Sequence, residues 1–154
     1  MVPPVAAKPQ AVLFACSMNA VRSPMAAALT RQVAGPGTYV ASAGVRKDEL
    51  DPFAVAAMAD LGLDIGAHKP ITFEELEDLE GLNFDLIVTL SPQAHHRALE
   101  LTRTLAVDVE YWPTPDPTAI EGTREQRLEA YRAVREMLAM RIRQRFGDVA
   151  PGNE

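Results

Sequence analysis

The sequence predicts an α/β fold, a three-layer α/β/α sandwich around a four-stranded parallel sheet. Three observations point there. Four short apolar runs of strand length are spread along the chain. Segments of helical length, amphipathic or Ala-rich, lie between and after them. Gly, Pro and Ser-Pro pairs punctuate the boundaries. Strand and helix in alternation are the pattern of a parallel sheet covered on both faces.

The first run, AVLFA at 11–15, is continuously apolar and fits a strand buried on both faces. Ser23-Pro24 then reads as a helix start, since Ser caps and Pro suits the first turn. That helix runs to about Val33 and is stopped by Gly35-Pro36-Gly37. A second strand is expected at 38–42, and Asp51-Pro52 opens a helix to about Leu61, with Gly62 after it. The acidic segment 71–80 reads as a surface helix. The run FDLIVTL at 84–90 is a third strand, and Ser91-Pro92 starts a helix to about Thr104. A fourth strand is expected at 107–112, and Pro113, Pro115 and Pro117 force an irregular loop after it. The final helix covers 123–146. Its residues Leu128, Tyr131, Val134, Leu138 and Ile142 step by three or four, as one buried stripe does.

The chain has 154 residues, enough to bury a core, with 47% hydrophobic and 23% charged residues. One domain is expected over 11–147, with a flexible lead-in at 1–10 and a loose tail at 148–154. No run approaches the length of a membrane span, and the start lacks the build of a secretory signal. A cytoplasmic location, with no membrane partner, is the expectation. The net charge of −6 argues against nucleic acid as a partner. It offers an anionic substrate no long-range attraction either. An anion site must therefore be built locally, from backbone N–H groups and one or two arginines.

The single cysteine, Cys16, excludes an intramolecular disulfide. A lone cysteine is usually a small buried hydrophobe. The position of Cys16 argues for more. It opens the segment Cys16-Ser17-Met18-Asn19-Ala20-Val21-Arg22-Ser23-Pro24, between the first strand and the first helix. In open α/β sheets ligands bind beyond the carboxyl ends of strands. A loop entering a helix there presents backbone N–H groups and the positive end of the helix dipole, which favour negative charge on a phosphate or a thiolate. Arg22 is spaced to close the ring and can grip two oxygens at once. Asn19 tolerates a left-handed backbone. The Ser23 hydroxyl either donates to the Cys16 sulfur or caps the helix. Cys, five residues and Arg is a weak motif alone; the strand before it and the helix start after it make it specific.

With these residues in view, the chain resembles the low-molecular-weight protein tyrosine phosphatase family, whose fold also hosts certain arsenate reductases. The resemblance runs from about Val12 to Phe146. It rests on the strand VLFA, the loop CSMNAVRSP, Ser42-Ala43-Gly44, LGLDIGAHKP around His68, FDLIVTLS near Phe84, and Asp116-Pro117 before the last helix. It implies strand order 2-1-3-4. It also implies a phosphomonoester hydrolase with Cys16 as nucleophile, Arg22 on the phosphoryl oxygens and Asp116 as general acid. Ser17, Met18, Asn19, Ala20, Val21, Arg22 and Ser23 would form the phosphate loop. The reaction requires no cofactor and no metal. The partners implied are phosphate or another tetrahedral oxyanion, and a phosphorylated protein.

The chain departs from the pattern in three places. Met18 stands where many family members have Gly, and Val21 where many have a second cysteine. After Asp116-Pro117 come Thr118-Ala119-Ile120 instead of the aromatics of phosphotyrosine-directed members. Tyr111 and Trp112 lie nearby as either mouth aromatics or strand-end packing. Two rival readings stay open. One is an arsenate reductase using an external thiol or a glutaredoxin-like partner, because the further cysteines of the intramolecular type are missing. The other is a non-catalytic protein that binds oxyanions or phosphoproteins.

The histidines read as structural. His95 and His96 are adjacent and point apart on a helix, so they read as surface residues, and His68 is expected to satisfy backbone groups in its turn. Arg46, Lys69 and the acidic run in 74–80 read as solvated surface. Arg141, Arg143 and Arg145 suit the end of the last helix.

Overall fold

The computed structural model describes residues 9–147. The expected tail and all but the last two residues of the lead-in lie outside them. Four strands, β1 (Ala11–Cys16), β2 (Tyr39–Gly44), β3 (Leu86–Thr89) and β4 (Asp108–Tyr111), form one parallel sheet in the order β2-β1-β3-β4. This is the expected order. Parallel neighbours cannot be joined by a tight hairpin, so each connection crosses over a face of the sheet. Central β1 is covered on both sides, which is why Val12 to Cys16 are all buried and why the run shows no polar alternation. Register puts Cys16 opposite Gly44, at the carboxyl edge. The Gln10 carbonyl already accepts from Tyr39 N at 2.8 Å, so bonding to β2 begins one residue before β1.

Successive β1 side chains point to opposite faces and seed two cores. Val12, Phe14 and Cys16 face α1 (Arg22–Ala34), α2 (Pro52–Ala59) and α5 (Arg124–Phe146), where Met25, Met58, Tyr131, Leu138 and Ile142 are buried. Leu13 and Ala15 face α3 (Phe73–Glu80) and α4 (Pro92–Leu101), with Phe73, Leu76, Ile87, Ala94 and Ala98. The stripe read on α5 is buried at all five positions. Each large apolar side chain so buried stabilises the fold by about 1.5–3 kcal/mol.

Helix ends follow local capping chemistry. Asp51 caps α2, Ser91 caps α4, and capping boxes start α3 (Thr72 with Glu75) and α5 (Thr123 with Gln126). The exception is α1. It starts at Arg22, one residue before the expected Ser23, and has no side-chain cap at Val21. Two helices end early. α2 stops at Ala59 and α4 at Leu101, each followed by a hydrogen-bonded turn. The surface helix begins at Phe73, because Thr72 bridges to Gly44 at the sheet edge.

Candidate active site

The loop from Cys16 to Arg22 is shaped by its carbonyls. The segment after β2 takes them one by one: Val45 N donates to Cys16 O (3.2 Å), Arg46 N to Ser17 O (2.9 Å), Asp48 N to Met18 O (3.2 Å) and Asp51 N to Ala20 O (3.1 Å). Among the described residues, the N–H groups of residues 17–21 have no backbone acceptor. Buried N–H groups without partners are rare, and a run of them at a helix start is an anion site. Asn19 reverses the chain with φ of 55°, the left-handed conformation its side chain tolerates. Gly44 must be glycine for a different reason. A Cβ there would lie 2.3 Å from Arg46 O and 2.8 Å from Asn19 N, so the end of β2 approaches the loop too closely for any side chain.

Asn19 is fully buried and uses its whole side chain. Its Nδ2 donates to Ser23 Oγ (2.8 Å) and Ser42 Oγ (2.9 Å). Its Oδ1 accepts from Ile71 N (2.9 Å) and lies 3.1 Å from His68 Nε2. Oδ1 accepts from a backbone amide, so His68 donates through Nε2–H. Burial holds the His68 imidazole below its ordinary pKa, in keeping with a neutral ring. The Cys16 sulfur lies 3.0 Å from Ser23 Oγ. Asn19 already donates to that oxygen, which leaves the Ser23 proton free to point at sulfur. The Ser23 hydroxyl thus lies against the thiol and not over the helix end, and α1 goes without a side-chain cap.

Arg22 is buried, and its Nη1 donates to Thr114 O at 2.9 Å. Thr114 in turn donates through Oγ1 to Trp112 O (2.8 Å), and Trp112 packs edge-on against Phe14. The guanidinium is therefore held by the segment after β4. Asp116 begins a 3₁₀ turn, Pro117–Ala119, and its Oδ1 accepts from Thr118 N (3.0 Å) and Thr118 Oγ1 (2.7 Å). Its Oδ2 has no partner among the described residues.

These pieces meet in one cavity of about 290 Å³. Cys16, Ser17, Met18, Ala20, Val21 and Arg22 line it from the loop, Asp48 from the segment after β2, and Asp116 and Thr118 from the segment after β4. Asn19 and Ser23, read as part of the phosphate loop, sit behind it as the frame. Met18 is at the rim, 38% exposed. Larger grooves exist, one of about 710 Å³ beside β2, but that one lacks the thiol and the loop of free N–H groups. Chemistry, not size, selects the smaller cavity.

Other candidates fall outside the cavity. Trp112 is buried in the core, and Tyr111 stacks on His95 at 4.5 Å, so neither aromatic reaches it. His95 is bound to Thr89 and only half-exposed, unlike the open His96. His68 satisfies an asparagine side chain, not the backbone groups expected. Arg46 and Lys69 are exposed. Among the described residues no group of three or more His, Cys, Asp or Glu could hold a metal ion, and no helix is long and apolar enough to cross a membrane. Sequence reasoning missed the positioning roles of Ser42, Gly44, His68 and Thr114, and the presence of Asp48 in the lining. Ser42, Gly44 and His68 lie in stretches that carried the resemblance; Asp48 had no such signal.

An arsenate reductase of Bacillus subtilis (strain 168) is 32% identical over 134 residues, covering 86% of this chain and 92% of that protein. The YwlE arginine phosphatase from Geobacillus stearothermophilus superposes with a TM-score of 0.70 at 25% identity, over 87% of this chain and 88% of that one. The tyrosine phosphatase Wzb from Escherichia coli K30, solved in complex with sulphate, shares the fold with a TM-score of 0.71 at 20% identity, over 88% and 94% of the two chains. The low molecular weight phosphotyrosine protein phosphatase family matches residues 11–151, and the chain belongs to that family.

Proposed function

We propose that the chain hydrolyses phosphomonoesters through a phosphocysteine on Cys16. The observation that carries this reading is the single cavity shared by Cys16, Arg22 and Asp116. The Cys16 thiolate attacks phosphorus in line, the bond to the leaving oxygen breaks, and Asp116 gives that oxygen its proton. The loop N–H groups and Arg22 hold the three equatorial oxygens. Water then attacks phosphorus, Asp116 takes its proton, the S–P bond breaks, and phosphate and thiolate are released. The Ser23 hydroxyl stabilises the departing thiolate. A phosphorylated protein is the substrate class the family name suggests, and a free reactive thiol suits the reducing cytoplasm. The test is steady-state hydrolysis of an aryl phosphate at mildly acid pH. Turnover is expected in the wild type and none above background in Cys16→Ser. A well-folded wild type without turnover would defeat the proposal.

The curated relatives favour a second reading. Proteins named arsenate reductase match at 31–33% identity over most of the chain. The same loop suits arsenate, and Cys16 would displace one of its oxygens to form an S–As bond. With one cysteine in the chain, the two electrons must come from an external thiol, oxidised to a disulfide as As(V) becomes As(III). Thiol-dependent arsenite formation, lost in Cys16→Ser, tests this reading separately.

A further inference from the structure

We infer that Asp48 selects substrates carrying a positive charge beside the phosphoryl group. The inference rests on the hydrolase reading and deepens it. Among the described residues, three ionisable residues besides Cys16 line the cavity: Arg22, Asp48 and Asp116. In the reactive complex the charge of Arg22 is matched by the phosphoryl oxygens. Asp116 must hold its proton to serve as acid. Asp48 is then the one lining group whose charge is left to meet the rest of the substrate.

Its geometry suits that task. The Asp48 N–H donates to Met18 O at 3.2 Å, which fixes the residue against the loop beside the rim. Its Oδ1 accepts from Glu49 N at 2.8 Å. Among the described residues its Oδ2 has no partner, and Asp48 forms no ion pair. Nearby cations do not cancel it. Lys47 is paired with Glu75 at 2.7 Å, and Arg46 is exposed and not part of the lining. Arg124 and Arg127 lie over the Phe53 ring, at 5.7 and 4.7 Å, and do not line the cavity either. Glu49, also exposed and outside the lining, adds to the negative side. Among the described residues no aromatic lines the cavity. Selectivity beyond the phosphoryl group therefore falls to charge at Asp48 and to the apolar rim of Met18. A dianionic ester with acidic neighbours meets repulsion there; a cationic neighbour finds an unpaired carboxylate.

The test compares two synthetic phosphotyrosine peptides, identical except for lysines or glutamates flanking the phosphoresidue. Wild type is expected to favour the lysine peptide in kcat/KM by about five-fold, the size of one partly exposed ion pair. Asp48→Asn should erase the preference, and Asp48→Glu should keep it. Binding of the same peptides to Cys16→Ser gives a readout independent of turnover, with the same preference expected in Kd. Equal use of the two peptides by wild type, or a preference that survives in Asp48→Asn, overturns the inference while leaving the hydrolase reading intact. Loss of all turnover, aryl phosphate included, overturns the hydrolase reading itself.

Discussion

Asp51-Pro52 and Asp116-Pro117 are the same dipeptide, and each opens a helical turn by the same local chemistry. The carboxylate accepts a hydrogen bond from the backbone N–H two residues on, Phe53 N in one case and Thr118 N in the other. What differs is the company each carboxylate keeps. Asp51 is half-buried, and its Oδ2 accepts from the buried Tyr131 hydroxyl at 2.5 Å, while its N–H supports Ala20 O. Burial first, then the Asp51 carboxylate, pushes the Tyr131 hydroxyl far above its ordinary pKa, so it remains a proton donor. Asp116 is exposed, lines the cavity, and has no partner for Oδ2 among the described residues. One pair fastens α2 and α5 to the loop; the other presents a carboxylate to whatever the loop holds. Local sequence dictates the turn, and tertiary position dictates the role.

That division can be broken by substitution. Asp116→Asn has the largest expected effect, a fall in kcat of about two to three orders of magnitude for an unactivated ester, because Asn caps the turn but gives up no proton. Its urea unfolding midpoint should match wild type; equal turnover would move the acid elsewhere. Asp51→Ala should show the opposite profile. It loses a helix cap and strands a buried hydroxyl, for about 2 kcal/mol of stability in urea unfolding. The turnover of its folded fraction should stay near wild type, since the backbone bond to Ala20 remains. Thr118→Val is the finest probe. Removing the 2.7 Å hydroxyl bond that orients Asp116 should lower kcat roughly two- to five-fold, with stability unchanged at this exposed site. A Thr118→Val enzyme with unaltered kcat would show that the Pro117 turn alone aims the carboxylate.

Much of this was legible in the residues themselves. The four apolar runs, the Gly and Pro punctuation and the α5 stripe are one-dimensional signals of a layered sheet, and the structure follows them to within a few residues. Strand order was not in the pattern; it came with the resemblance. Cys16 and Arg22 were readable because a strand–loop–helix junction is contiguous in sequence. The Asn19 frame was not, since Ser42, His68 and Ile71 stand 23, 49 and 52 residues away and meet only in three dimensions. Ser23 carried two readings, cap or partner of the thiol, and only the folded loop, with Cys16 Sγ 3.0 Å from its hydroxyl, separates them. Asp48 carried no signal, because a carboxylate between Lys47 and Glu49 looks like any solvated turn.

The long separations within the Asn19 frame bear on how the protein acquires its chemistry. Forming β1 and α1 closes only a short loop, and nothing in that local step fixes the shape of residues 17–21. The frame needs β2 in register and the segment before α3 docked, so chain-closure entropy for spans of tens of residues must be met first. A nascent or partly folded chain can therefore hold native helices and a collapsed core while its thiol has no anion cradle. The cradle therefore depends on contacts 23 to 52 residues apart, and not on the local strand and helix alone.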